Sequence, residues 1–324
     1  MRVATMRYSQ VVSVGARHPM TQRHVEQRAS HIDPTVIAQL ARDCSIEMNV
    51  QDVRDLEASR ALLPAGKKVY VSHLPKQTWQ QTIEACRVVR AAGFDPVPHV
   101  PVRLLEDERT LDGLLADAVS SASVQEVLLI AGDYPQANGP YATVADVLRT
   151  GKLNAHGLRR VSLAGHPEGH SKVATDEIRR AEVEKAHLAQ EAGLETTLVT
   201  QFFFEAQPFI DWAEGLRAAG VRARLVAGIA GPASIATLFR YAMRCGVGPS
   251  IRALGARPTS LVKLIGDHGP EALVRDMATR RLAAPGLFDG LHLFCFGGFL
   301  RTAGWLHKVS EGQFRLDEQG GFKV

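Results

Sequence analysis

Short apolar runs rich in β-branched and aromatic residues recur along the chain, separated by stretches whose apolar residues repeat at helical spacing. Eight runs read as strands: Cys44–Asn49, Lys68–His73, Phe94–Val100, Val124–Gly132, Leu158–Ala164, Glu195–Phe204, Val221–Ile229 and Gly290–Phe296. Several of them (VLLIAG, TLVTQFFF, LHLFCF) are nearly continuous in apolar residues rather than alternating, as parallel strands buried on both faces are. Between them, Trp79–Ala92 carries Ile83, Cys86 and Val89 toward one side and ends at Gly93, a residue that closes helices because it takes a left-handed backbone without strain. Asp176–Ala192 stops in the same way at Gly193, and Phe209–Ala219 at Gly220. The recurring phrase is helix, Ala-Gly, short gap, strand, as in AAGFDPVPHV, EAGLETTLVTQ and AAGVRARLVAG. That rhythm implies parallel strands joined by right-handed crossovers.

Eight such units fit an α/β chain closed into a (β/α)8 TIM barrel better than an open doubly wound sheet. Neither a GxGxxG turn after a strand nor a P-loop is present. The interval Gly246–Asp289 is long enough for extra helices before the last strand, with Pro258-Thr-Ser and Pro270-Glu-Ala as starts. The expected organisation is a basic arm over residues 1–40 and one catalytic barrel over 41–324. The arm carries Arg2, Arg7, Arg17, Arg23 and Arg28, a faint likeness to an organellar transit peptide, but no apolar core of a secretory signal.

Composition narrows the function classes. A formal net charge of +4, with no long basic run, permits an anionic ligand but gives no reason to expect nucleic acid. No apolar run is long enough to span a membrane. Cys44, Cys86, Cys245 and Cys295 are scattered without a CxxC pair, so the simplest expectation is reduced thiols in a cytoplasmic protein with no metal site. No HExxH or comparable spacing points to a metal either.

In a barrel, polar residues at the C-terminal strand ends are the first candidates for chemistry. Here they are Ser45-Ile46-Glu47, Ser72-His73, Pro98-His99, Gly132-Asp133-Tyr134-Pro135, His166-Pro167-Glu168-Gly169-His170 and Thr200-Gln201. Glu47 lies between apolar neighbours, where a carboxylate is costly unless paired or solvated. It therefore either faces the barrel mouth or is a structural ion-pair partner. Gln201, in an otherwise apolar strand, has an amide that needs partners.

These motifs, in order, resemble the methylenetetrahydrofolate reductase family: SIE (45–47), PHV (98–100), GDYP (132–135), YA (141–142), HPEGH (166–170), TQFFFE (200–205) and GIAGPASI (228–235). The resemblance covers about residues 44–310 and implies a barrel holding FAD at its C-terminal face. NADH or NADPH would reduce the flavin, which then passes hydride to 5,10-methylenetetrahydrofolate to give 5-methyltetrahydrofolate. Carried over position by position, Glu47 is the general acid, which requires a raised pKa. Asp133 is the acidic residue near flavin and pterin. Ser72, His99, Gly132, Asp133, Tyr141, Ala142, Ala164, His166 and His170 fall at flavin-contacting positions. Gln201 falls at a folate-binding position, joined by Ile235, Phe294 and Arg301.

The chain also departs from the pattern. Ala131 stands where the family has an Arg before Gly-Asp, and His166 where a Tyr is usual. Ile235 stands for a Phe, Phe294 for a Tyr, and Gly297-Gly298 for a segment with a folate-binding Arg, which Arg301 is near enough to replace. These departures keep two other readings open. One is an FAD-independent reductase passing hydride directly from NADH to folate. The other is a non-catalytic barrel that binds folate or a partner. The reverse oxidation in a catabolic one-carbon pathway also stays open, as does a homo-oligomer, since members form dimers or tetramers.

Overall fold

The computed structural model describes residues 32–132, 134–170, 173–245, 247 and 269–324. Eight parallel strands close on themselves in sequence order: β1 Ser45–Met48, β2 Lys68–Val71, β3 Asp95–Pro101, β4 Glu126–Ile130, β5 Arg160–Gly165, β6 Glu195–Phe202, β7 Arg224–Ala230 and β8 Gly290–Phe294. The pairing of β1 with β8, Ser45 against His292, completes the ring. The chain is thus a (β/α)8 barrel.

Every expected strand is present, but several start later than their apolar run. Val124, Leu158 and Val221 are the apolar residues that follow a helix end, and each gives its N–H to a carbonyl of the helix behind it, on Ala118, Leu153 and Leu216. Phe94 does the same toward Val89. Such a residue packs back on its helix as part of the cap, so the strand begins only beyond it.

Among the described residues, eight helices have ten residues or more: α1 Pro34–Asp43, α2 Trp79–Ala91, α3 Glu108–Ala122, α4 Thr175–Glu191, α5 Ala206–Ala218, α6 Ile235–Cys245, α7 Glu271–Ala283 and α8 Phe299–Ser310. Their starts follow from side chains that accept the first free N–H groups: Asp33 before α1, Thr78 before α2 and Asp107 before α3. Both α6 and α7 lie between β7 and β8, where the βα repeat itself supplies one, so one of the two is extra. The start at Pro270 is found, whereas Pro258 and residues 1–31 of the basic arm lie outside the described residues. A small antiparallel pair, β9 Arg315–Leu316 and β10 Phe322–Lys323, ends the chain.

Two apolar zones hold the barrel. The larger lies between the strands' outer face and the helices, and includes Ile46, Val69, Leu129, Leu163, Leu225, Leu293 and their helical partners. The smaller, Tyr70, Val97, Leu128, Val199 and Val226, fills the inside. Register places the inward residues: Glu47 lies beside Tyr70, Tyr70 beside Val97, His99 beside Leu128, and Gly228 beside His292. Side chains two apart on a strand share a face. Glu47, His99 and His292 therefore stand on the interior side with the inner core.

Candidate active site

Glu47 sits one residue from the C-terminal end of β1, with its carboxyl about four-fifths buried (18% exposed). Ser72, just past β2, donates its hydroxyl to Oε1 at 2.8 Å. Nε2 of His99 on β3 lies 3.4 Å from Oε2, and Nε2 of His292 on β8 lies 3.5 Å from the same oxygen. The other ring nitrogen of His292 is 2.9 Å from the hydroxyl of Ser45. Tyr70 presents a ring edge-on to both imidazoles, with centroids 4.7 Å from His292 and 6.2 Å from His99. Groups from β1, β2, β3 and β8 thus meet at one carboxylate, so Glu47 faces the barrel mouth with polar partners around it.

The expected raised pKa of Glu47 is corrected by this arrangement. Burial does push the carboxyl upward, but the His99 charge, the hydrogen bond and charge of His292, and the Ser72 hydroxyl outweigh it and leave the group below its ordinary value. His99 is itself shifted down, chiefly by burial, with Glu47 opposing. Its Nε2 makes no hydrogen bond to any described residue. His73, next to Ser72, turns away from the mouth: its ring stacks on Trp79 of α2 at 4.2 Å and its Nδ1 pairs with the Thr82 hydroxyl at 2.8 Å.

The loop after β4 is held from β3. Arg103, in the short 3-10 turn after β3, donates to the carbonyls of Tyr134 and Ala142 at 2.8 and 2.9 Å. Gly132 takes a left-handed backbone (φ 87°), and a Cβ there would crowd Tyr134 and Pro101 at 3.0 and 3.1 Å. Tyr141 is buried and Ala142 is exposed. Asp133, the other expected catalytic carboxylate, lies outside the described residues.

The loop after β5 is organised by a buried acid on α4. Glu182 accepts the backbone N–H of His166 at 2.6 Å, Nη1 of Arg179 at 2.8 Å and Nε1 of Trp212 at 2.8 Å, with His166 Nδ1 at 3.2 Å. Arg179 also donates to the carbonyls of His166 and Pro167, and Lys185 to that of Ala164. Burial alone would raise Glu182, but the His166 hydrogen bond, the Lys185 and His166 charges and the Trp212 hydrogen bond bring it down to about 2. His170 meets His166 edge-on at 6.2 Å.

The opposite wall is aromatic. Phe294 at the end of β8 stacks on Phe296 at 5.5 Å and meets Phe202 of β6 at 5.9 Å and His292 at 4.8 Å. Phe296 stacks in turn on Tyr241 of α6 at 4.1 Å. Gln201 is half-buried in β6, next to the irregularity between Val199 and Phe202. Ile235, half-buried, opens α6, and Arg301 is exposed on α8.

The structure thus brings Glu47, Ser72 and His99 into direct proximity, places Ser45, a strand-end candidate, beside them through His292, and adds His292 and Glu182, which had no expected role. His292 was within reach of pattern reading. Two residues before Phe294 on one strand, it shares that residue's face. Glu182, on a helix with no motif around it, gave no such signal.

Among the described residues, no group of three or more His, Cys, Asp or Glu is placed to hold a metal ion, and no helix is long and apolar enough to cross a membrane. A cavity of about 270 Å³, bordered by Arg42, Lys67, Lys68, Tyr70, Arg224 and Val226, opens at the N-terminal ends of the strands, opposite the site.

A family model described as methylenetetrahydrofolate reductase matches residues 68–250, from β2 to just past α6. Solved structures give three distant likenesses. A conserved protein of unknown function from Enterococcus faecalis is 10% identical, over 85% of this chain and 68% of that one, with a TM-score of 0.42. A mandelate racemase/muconate lactonizing enzyme from Bordetella bronchiseptica is 10% identical, over 83% and 57%, with a TM-score of 0.43. The 3-dehydroquinate dehydratase from Aquifex aeolicus is 9% identical, over 84% and 99%, with a TM-score of 0.44. At such identities these likenesses bear on neither substrate nor mechanism.

Proposed function

Because the chain belongs to the methylenetetrahydrofolate reductase family, we propose that it reduces 5,10-methylenetetrahydrofolate to 5-methyltetrahydrofolate with hydride from NADH or NADPH, FAD being the carrier. The observation that carries this reading is the carboxyl of Glu47, held at the barrel mouth by Ser72 and flanked by His99 and His292. Opening the five-membered ring of the substrate requires a proton on the departing N10, and Glu47 would give it once substrate, by excluding water from the mouth, has added to the burial that favours its protonated form. The iminium left behind accepts hydride at the methylene carbon. Gln201 would bind the pterin through both ends of its amide, with Asp133 as a second acidic contact. The aromatic wall of Phe202, Phe294 and Phe296 offers a flat apolar face against which a ring can lie. Ile235 and Arg301 would contribute to the folate side.

The residues at the mouth fit a flat, hydrogen-bonding ring system. The ring nitrogen of His99 is buried without a hydrogen bond, and Ser72, Gly132 and His170 lie at neighbouring strand ends. With Tyr141, Ala142, Ala164 and His166 they would hold FAD, which when bound supplies two-electron transfer between nicotinamide and folate. Glu47 would deliver its proton to N10, and closure of the mouth around the ring would keep water from the iminium.

One observation favours a second reading, in which hydride passes directly from NADH. Ala131 removes a cation from the end of β4. The arginines beside the two flanking loops, Arg103 and Arg179, are taken up by backbone carbonyls and Glu182. The absorbance spectrum of the purified protein separates the readings: stoichiometric flavin supports the first, and a colourless, active protein the second. Glu47→Gln tests the shared chemistry. It should bind nicotinamide normally and lose about 10²–10⁴-fold in folate turnover, the usual contribution of a general acid. Undiminished turnover in that variant contradicts the role.

A further inference from the structure

The barrel interior is unevenly filled at its N-terminal end. Side chains two apart on a strand share a face, so Ser45, Thr197, Arg224 and Gly290 belong to the same inward face as Glu47, Val199, Val226 and His292. Three of these four are small, and a Cβ added to Gly290 would meet nothing within 4 Å. The layer that should plug this end therefore leaves the cavity of about 270 Å³. Thr197, 7% exposed, lines it, and its hydroxyl makes no hydrogen bond with a described residue. Cations crowd the opening. Lys67, 6% exposed, gives its ammonium to the carbonyls of Arg42 and Cys44, with a third N–H to spare and no carboxylate paired with it among the described residues. The Cys44 thiol, pushed up to about 11 by burial, supplies no countercharge. Lys68 shares Glu126 with Arg160, at 2.6 and 3.8 Å, and Arg224 shares Asp289 with Arg217, at 3.9 and 3.7 Å. Arg42 lines the cavity without an ion-pair partner among the described residues, and Asp43 beside it accepts from Gln39. Paired charges at this end of a barrel would serve stability alone, whereas a buried ammonium left without an anion works against it.

We propose that this cavity is a second ligand site, which takes a phosphate monoester on a short carbon body. It lies at the opposite end of the barrel from the Glu47 site and does not depend on the reductase reading. The phosphate would accept from the spare N–H of Lys67, the Thr197 hydroxyl and the guanidinium groups of Arg42 and Arg224. Charge selects the class. Arg42, Lys67, Lys68, Arg160, Arg217 and Arg224 outnumber Asp43, Glu126 and Asp289. A monoester carries about −1.5 to −2 near neutrality and answers that excess better than one carboxylate does. Arginine meets two phosphate oxygens with its fork, and lysine adds a point charge. Size limits the rest of the ligand. The volume is many times the ~30 Å³ of one water, yet below the ~300 Å³ at which pockets for drug-sized ligands begin. That leaves room for the phosphate and a few carbons, and none for a dinucleotide. Pro64 and Ala65, exposed at the border, offer the carbons an apolar edge.

Calorimetric titration of the full chain at fixed ionic strength tests this, with glycerol 3-phosphate as the probe and glycerol and succinate as controls. Wild type should bind one equivalent of glycerol 3-phosphate, more tightly than succinate, and saturating NADH should leave that binding unchanged. Arg42→Gln and Arg224→Gln alter exposed side chains that the fold does not need, and each should weaken binding by about tenfold or more. Thr197→Val, which keeps the shape and removes the hydroxyl, should weaken it by less. Gly290→Val puts a side chain into open space, so it should abolish binding without lowering Tm. Should Gly290→Val melt early, the two arginine variants still decide. Equal affinity in wild type and both arginine variants overturns the proposal, as does heat that never saturates. Displacement by NADH would put the phosphate at the barrel mouth and overturns it too. Succinate bound as tightly as glycerol 3-phosphate overturns the assignment to phosphate.

Discussion

Replacing Glu182 by Gln puts the organisation of the β5 loop to a quantitative test. The carboxylate is 1% exposed and accepts from the His166 backbone, Arg179 and Trp212, with the buried Lys185 as a further nearby charge. Gln has almost the same shape but only one acceptor oxygen, and its NH2 would face donors. Removing one partner of a buried charge pair costs about 3–5 kcal/mol, because the other charge is left uncompensated. The retained oxygen places Gln near the low end, at about 3 kcal/mol, and Glu182→Ala near the high end. Urea unfolding followed by circular dichroism should show the first transition displaced by about 1 M at an unchanged slope near 3 kcal/mol/M. The pH dependence provides a second check. Glu182 is held at about 2, below its ordinary 4.5, so wild type loses that stabilisation as pH falls through this interval, and the variant has none to lose. Lys185 is lowered by burial and pulled back up by Glu182. Without Glu182 its folded form holds the proton less well than the unfolded chain does, so the variant should gain stability as pH rises toward about 10. A deficit under about 1 kcal/mol, with no such pH dependence, refutes the assignment of Glu182 as the hub of the loop.

Other outcomes follow from single contacts. His73 is held at about 4 from 6.5, by burial and then by the His99 charge, so the unfolded chain binds a proton that the fold refuses. Stability should therefore fall as pH drops from about 6.5 to 4, and His73→Gln should flatten that slope in thermal melts; an unaltered slope contradicts it. A Cβ on Gly228 would clash with the Thr200 carbonyl oxygen of the neighbouring strand. Gly228→Ala should cost about 3 kcal/mol or more and lower Tm by about 6 °C or more, and a variant melting with wild type would show that β6 yields where its register is already irregular.

The barrel was legible because each βα unit repeats its own punctuation, and parallel strands buried on both faces leave continuous apolar runs. The strand starts were less legible, because the apolar residue after a helix-ending glycine looks like strand and is claimed by the helix. At the site, Glu47, Ser72 and His99 could be named from their places at strand ends. The direction of the Glu47 shift could not, because it depends on His292, which lies 245 positions away and reaches it only when the ring closes. Glu182 illustrates the other limit: on a helix, a glutamate looks like a solvated charge until tertiary structure surrounds it with donors.

The inner layer of Tyr70, Val97, Leu128, Val199 and Val226 has one more consequence. It borders the cavity at the far end through Tyr70 and Val226, and Ser45, the hydrogen-bond partner of His292 in the Glu47 cluster, borders the same cavity. The Tyr70 hydroxyl is occupied by Ser162, which is tied in turn to Glu126. The barrel is therefore a cup with a thin floor: Ser45 touches the cluster on one side and the far-end cavity on the other. A ring lying across the rim would cover the cluster from one end only, with Ser45 still in contact with the cavity at the other.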